Sequence, residues 1–175
     1  GAGPLGLEMA QALARLGVRV EVFDMGETLG GLPKGEVETS LRDALGQEMP
    51  LRLGVKPEAQ RSSDGVKLSW SGAESGEAAF DHILVAAGRA PNLKGLSLEA
   101  AGLELDEHGT PVFDPDTMQC GDAPVFIAGD ADHDRPVLHE ASAEGTIAGT
   151  NAAGFPHVQP MRRKVPLQIM CTDPN

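Results

Sequence analysis

Three glycines constrain this chain more than any other feature: Gly1, Gly3 and Gly6, in the run GAGPLGLEMAQALARLGVRVEVFD that fills residues 1–24. Their spacing is GxGxxG, and each glycine has its own physical job. Gly1 permits a tight turn out of a strand, Gly3 lets backbone come close to a pyrophosphate, and Gly6 lets a helix pack close to a strand. A helix is predicted from there, with Leu5, Met9, Leu13 and Leu16 recurring at helical spacing as its apolar stripe. Its N-terminus would turn free N–H groups and partial positive charge toward phosphates. Gly17 is expected to end it as a left-handed cap. Val18, Val20, Val22 and Phe23 predict the next strand, and Asp24 stands at its tip. That is close to the roughly 20-residue offset at which an acid meets a ribose 2′-hydroxyl.

A lone GxGxxG is a weak signal. Here the helix, the strand and the acid all follow in order, which is the context the motif requires. The plainer alternative is a glycine-rich strand–helix turn with an incidental Asp. The nucleotide reading implies NAD over NADP. A 2′-phosphate would be repelled by the Asp24 carboxylate, and Met25, Gly26 and Glu27 supply no base to receive it. Glu8, placed by the sequence in the first helical turn, reads most simply as an acid favoured by the macrodipole. A strand is expected before Gly1, and the sequence given starts after it.

The middle of the chain carries structure more than chemistry. Glu36 to Gly46 is predicted as a helix with Val37, Leu41 and Leu45 in one stripe. Leu51–Val55 and Gly65–Trp70 read as strands, and the polar link Ser71–Glu77 as a turn into another strand near Ala79. The apolar run Ile83–Ala87 predicts a strand buried on both faces. It leads into Gly88, Arg89, Ala90, Pro91 and Asn92, where small residues would bring backbone beside a ligand. A second buried strand is expected at Val125–Ala128, ending in Gly129 and Asp130. Leu138–Gly154 predicts a helix of small residues among acids. His139 at its start reads as a capping or packing residue rather than a catalytic one. Asp130, Asp132, His133 and Asp134 resemble a metal cluster only superficially, since neighbours in one loop rarely converge on an ion. No Ser–His–Asp arrangement suggests itself.

Composition limits the classes. The chain has 175 residues, enough for one or two domains with a sizeable core. The net charge of -12 argues against nucleic acid and anionic membranes as partners. No apolar run of transmembrane length occurs, and no signal peptide is visible. Cys120 and Cys171 fit neither a zinc pattern nor a CxxC or CxxxxC pair, so reduced thiols and a cytoplasmic setting are expected.

The ordered set GAGPLGLE, a strand ending in Asp24, ILVAAGRAPN, VFIAGDA, LHEASAEG and PLQIMCTDPN resembles the pyridine nucleotide-disulphide oxidoreductases, and among them the dihydrolipoyl dehydrogenases. The resemblance runs over nearly the whole chain. It implies an α/β fold: a Rossmann-like NAD-binding domain with an antiparallel β insertion between roughly residues 50 and 82, then strand, strand and helix from the FAD-binding domain. The implied divisions are residues 1–94, 95–164 and 165–175, the last being the start of a dimerisation domain. By position, Gly1, Ala2, Gly3, Pro4 and Leu5, closed by Gly6, would hold the NAD pyrophosphate. Asp24 would hold the adenosine ribose and Val55 the adenine end. Ala86, Ala87, Gly88 and Arg89 would line the nucleotide crevice. Gly129 and Asp130 would serve the FAD ribityl chain or phosphate, with Leu138 and His139 facing the flavin. Glu8 would sit beside the flavin and pair with a lysine of the FAD half. Pro4 stands where some relatives carry a gating tyrosine.

The same resemblance implies a homodimeric parent enzyme exchanging hydride between NAD(H) and FAD. The family's N-terminal FAD half with its CxxxxC disulphide and its C-terminal His–Glu dyad are not in this sequence, so the chain alone is expected to be inactive. The alternatives are a family member without disulphide chemistry, such as a flavin-linked transhydrogenase or NADH oxidase, or a nucleotide-binding module inactive by itself.

Overall fold

The computed structural model describes residues 1–173, which fall into two compact units. One comprises Gly1–Gly88 with the segment that begins at Ile169, and the other Arg89–Gln168.

The first unit is a βαβ arrangement with an antiparallel meander inserted. Helix α1 spans Pro4–Arg15, with Pro4 at the position where a missing N–H costs nothing. It ends as the glycine predicts. Gly17 has φ +90, its N–H donates to the Ala14 carbonyl, and the Val18 N–H reaches back to Leu13, the paired bonds of a Schellman motif. Strand β1 (Val22–Phe23) lies parallel to β2 (Leu51–Arg52), with helix α2 (Glu36–Gly46) as the crossover between them. Leu7, Ala10, Val22, Leu29, Leu41, Leu45 and Met49 form the core.

The expected apolar stripe of α1 is corrected. Leu5 is 64% exposed and Leu16 81%, while Gly6, Leu7, Ala10 and Gln11 are the buried positions. The reason is the close approach that the fingerprint imposes: a Cβ on Gly6 would sit 2.1 Å from the Gly1 carbonyl oxygen. A helix held that close at Gly6 turns the Gly6, Leu7, Ala10 and Gln11 face inward and the Leu5, Met9 and Leu16 stripe away. The α2 stripe is corrected at one position. Val37 is exposed, and Glu38 is buried instead, accepting the Leu29 N–H at 3.2 Å and pairing with Arg42 at 2.5 Å. Val37→Ala should therefore shift stability by no more than about 0.5 kcal/mol, although helical spacing alone would class it as core. Thermal or urea unfolding checks this.

The antiparallel insertion lies where expected, with its strands corrected: Leu51–Val55 is not one strand, since β2 ends at Arg52 and a separate strand runs from Val55 to Ser62, and Ser71 and Gly72, read as turn, are strand. Strands β3 (Val55–Ser62), β4 (Gly65–Gly72) and β5 (Gly76–Phe80) form a three-stranded meander. Trp70 of β4 lies over Gly76, where any Cβ would meet its ring, and 5.0 Å from the Phe23 ring of β1. Arg52 covers the indole at 4.8 Å and pairs with Glu21 and Glu74. The meander is thereby pinned to the βαβ unit by rings and one cation.

The parallel sheet is smaller than expected. Val18 to Glu21 lie outside β1, and Ile83–Ala87 forms no strand among the described residues. Leu84 and Val85 are exposed rather than buried on both faces. A strand exists only through a ladder partner, and this run has none here. Its end is nonetheless fixed, because Ala86 backbone packs directly against Gly1.

In the second unit the long helix α3 (Leu138–Gly154) packs Ile147 and Ala148 on Met118, Phe126 and Met161. The expected strand at Val125–Ala128 is reduced to one isolated bridge between Gln119 and Phe126, flanked by the bonds Cys120 N–H to Val125 and Ile127 N–H to Met118. Only Ile127 of that run is buried. A 3-10 turn at Gly129–Ala131 follows it directly. No helix among the described residues is long and apolar enough to cross a membrane.

Candidate functional site

The glycine loop of the first unit is built from backbone with very little slack. Gly1 abuts the Ala86 carbonyl, where a Cβ would lie 2.2 Å from the oxygen, and Gly6 abuts Gly1 in the same way. Gly3 is different. A Cβ built there meets nothing within 4 Å, so the space in front of it is open. Gly3 is the N-cap of α1, and no side chain caps that helix end. The first bond of the helix is Leu7 N–H to Gly3 carbonyl, so the Leu5 and Gly6 amides lie ahead of it with no partner within the helix. Uncapped amides beside open space are what an anion needs.

Asp24 is tied to the same loop. Its Oδ2 accepts the Ala2 N–H at 2.5 Å and its Oδ1 the Gly26 N–H at 2.6 Å. Its backbone is held on both sides, the N–H donating to Arg52 and the carbonyl accepting from Val55, each at 3.0 Å. A carboxylate offers about four lone-pair sites; two are taken, and the side chain is half-buried. Val55 itself is fully buried. Its N–H, bonded to the Asp24 carbonyl, helps to fix that residue. Ala2 is buried, with its carbonyl accepting the Gly30 N–H, whereas Pro4 is partly and Leu5 well exposed at the loop mouth.

Glu8 is corrected as well. It lies in the second turn of α1, not the first, so the macrodipole does not account for it. Its Oε1 accepts the Cys171 N–H at 2.8 Å. The neighbouring Gln11 and Arg15 bind Asp173, and both also bind Glu48. Arg15 holds the Glu48 carboxyl below its usual range, through that hydrogen bond first and the Gln11 bond second. The segment from Ile169 to Asp173, read from sequence as part of a dimerisation domain, thus docks on α1 in this structure. Ala87 and Gly88 are exposed beyond Ala86, Gly88 with φ +88.

In the second unit the turn at Gly129–Asp130 and the start of α3 adjoin. Gly129 has φ +70, and a Cβ there would meet that of Ala141 at 3.1 Å. Asp130 is exposed and pairs with Arg89 at 3.3 Å, so Arg89 meets an acid of its own unit. Leu138 and His139 are exposed on the first turn of α3, and the His139 imidazole approaches Glu140 at 3.9 Å. Behind them is a group the sequence singled out only in Asp132 and Asp134: these two with Glu140 and Glu144 of α3, Arg135 and Arg163. Glu144 is wholly buried; it accepts the Gly129 N–H at 2.8 Å and pairs with Arg163. Cys120 is buried and Cys171 exposed, both as free thiols; burial pushes the Cys120 thiol up.

With a phosphate-ready loop and an adjoining acid in place, comparison with known proteins decides the family. Residues 1–145 match the model for pyridine nucleotide-disulphide oxidoreductases. The chain belongs to this family. It is 36% identical over 161 residues to a dihydrolipoyl dehydrogenase of Thermus scotoductus, covering 88% of this chain and 34% of that protein. A mercuric reductase of Acidithiobacillus ferrooxidans is 35% identical over 156 residues, 88% of this chain and 28% of the reductase. The crystal structure of LpdA from Mycobacterium tuberculosis superposes with a TM-score of 0.75 at 25% identity, covering 93% of this chain and 35% of that one. The chain thus spans about a third of the length of the relatives it matches, and its mixed α/β fold is the one they share.

Proposed function

We propose that this chain is the pyridine-nucleotide-binding portion of an FAD-dependent, NAD-linked disulphide oxidoreductase of the dihydrolipoyl dehydrogenase type, homodimeric as a whole protein. The observation that carries the reading is the open space at Gly3, in front of uncapped helix amides, with the Asp24 carboxylate bonded into the same loop. The residues fit NAD. Gly1 to Leu5 would present backbone to its pyrophosphate, the Leu5 and Gly6 amides would donate to it, and the remaining lone pairs of Asp24 would accept the adenosine ribose hydroxyls. Ala86 to Gly88 would wall the crevice beside Gly1. Between them, the bound nucleotide and flavin supply hydride exchange.

The second unit fits only part of an FAD site. Gly129 and Asp130 would meet the ribityl chain, and Leu138 and His139 would face the flavin edge. Glu8 would sit on the flavin side of α1. No second glycine fingerprint accompanies these residues in this sequence, and a dinucleotide's pyrophosphate wants a helix N-terminus of its own. The near-equal likeness to a dihydrolipoyl dehydrogenase and a mercuric reductase supports pyridine-nucleotide binding as the shared part, and the choice of NAD rests on Asp24. It leaves the final electron acceptor to parts of the protein outside this sequence.

Titration of the purified chain with NADH, read by nicotinamide fluorescence, tests the proposal. Saturable binding with preference over NADPH is expected. FAD added in excess should wash away on gel filtration and leave the chain colourless, because one aspartate and one turn of backbone do not offset the cost of immobilising it. Equal binding of NADH and NADPH, or a yellow chain retaining stoichiometric flavin, would overturn the division of labour proposed here.

A further inference from the structure

We propose that Glu144 is a positioning residue for the flavin: its buried carboxyl, clamped by Arg163, holds the Gly129 amide and so sets the direction of Asp130. The inference rests on the FAD reading of that turn.

The geometry is specific. Gly129 is in the left-handed region, at φ +70, and its amide points inward to Glu144 Oε2 at 2.8 Å. Asp130 is the next residue and faces outward. Rotation about the Gly129 backbone therefore moves Asp130, and the Glu144 bond resists it from the buried side, alongside the Asp132 N–H on the Gly129 carbonyl and Arg89 on the Asp130 carboxylate. Glu144 has no access to solvent. Its other oxygen meets the guanidinium of Arg163, which is itself 7% exposed and reaches Asp134 at 2.6 Å and Glu140 at 3.6 Å. The segment around Arg163 and the helix α3 are thus both linked to the turn through one carboxyl.

That carboxyl also has an acidic neighbour. Asp132 is buried beside it; Asp132 Oδ1 accepts the Asp134 N–H at 2.9 Å, and Oδ2 has no donor. The groups facing the pair are Asp134, Glu140, Arg135 and Arg163, with His139 on the far side of Glu140. Four carboxyls thus confront two guanidinium groups. Burial pushes the Glu144 carboxyl up and the neighbouring Asp132 adds to this, while the Gly129 amide and Arg163 pull the other way by favouring the carboxylate. An acid raised in this way stabilises its arrangement below the ordinary glutamate range and releases it as pH climbs through the raised value. The turn should accordingly loosen on the alkaline side.

The test uses the full-length flavoprotein, with flavin release followed by the rise in free-FAD fluorescence between pH 5 and 9 and thermal unfolding measured alongside. Wild type should release flavin faster as pH rises. Glu144→Gln keeps an uncharged oxygen for the Gly129 amide and does not titrate, so release should be near wild type at low pH and flat with pH. Glu144→Ala should release flavin at least about tenfold faster, the order expected when a buried amide loses a charged acceptor. If that variant does not fold, the pH profile of Glu144→Gln decides alone. A Glu144→Gln profile identical to wild type, or wild-type release from a folded Glu144→Ala protein, would overturn the inference. Asp130→Asn separates the two levels. If it speeds release while both Glu144 variants behave as wild type, the flavin reading stands and the role of Glu144 fails. A wild-type protein that carries no flavin sinks both.

Discussion

Gly3→Ala is expected to abolish most NADH binding while leaving the fold intact, and Gly6→Ala to damage the fold itself. Both replace a glycine of one fingerprint with the smallest side chain available. At Gly3 the backbone is at φ -70 and ψ 173, an extended conformation that alanine adopts freely, and the new methyl meets no protein atom within 4 Å. The stability cost is limited to the poorer N-cap, several tenths of a kcal/mol. The methyl would occupy the open space ahead of the α1 amides, where the pyrophosphate is proposed to lie. Loss of at least tenfold in affinity, about 1.4 kcal/mol or more, is expected. At Gly6 the methyl would be driven to 2.1 Å from the Gly1 carbonyl oxygen. Helix and loop must separate, and overpacking of this kind costs about 1–3 kcal/mol or more. Circular dichroism melts and NADH titrations on both variants check the pair. A Gly3→Ala chain that binds NADH like wild type would remove the open space at Gly3 as the pyrophosphate site.

Local signals made much of this legible from sequence. The fingerprint, the α1 cap at Gly17, the insertion of β3, β4 and β5, and the helices α2 and α3 all depend on residues close along the chain. What was misread depends on distant partners. Leu5, Met9 and Leu16 have core spacing, yet close packing at Gly6 selects the other face, and a periodicity argument has no knowledge of packing distance. Ile83–Ala87 has the composition of a buried strand, but a strand needs a neighbour in the ladder, and composition does not supply one. The burial of Val55 and its N–H bond to the Asp24 carbonyl likewise depend on placement in the fold, which its position along the chain does not reveal. Glu144 was passed over because its meaning lies in Gly129 and Arg163, fifteen residues before it and nineteen after it. An acid among alanines on a helix looks solvated until those partners are placed.

Exchange of Asp24 should reverse the choice between the two pyridine nucleotides. Its carboxylate is bonded to the Ala2 and Gly26 amides, so it cannot swing away from an incoming 2′-phosphate without breaking both. At a separation near 4 Å, like charges cost about 1 kcal/mol in water and about 4 kcal/mol near a protein surface. Removing the carboxylate should therefore raise the ratio of NADPH to NADH affinity by roughly 5- to 1000-fold. Asp24→Ser removes the repulsion, and Asp24→Arg adds an attractive partner for the phosphate, so the larger change is expected for arginine. Both substitutions also loosen the loop, since the Ala2 amide is buried and would lose its acceptor at a cost of about 1–3 kcal/mol. That loss weakens both nucleotides alike, whereas the discrimination lies only in their ratio. The measurement is therefore competitive titration of NADH and NADPH on wild type and the two variants, with the ratio as the readout. A lower affinity for both with an unchanged ratio would mean that Asp24 shapes the loop but does not read the ribose.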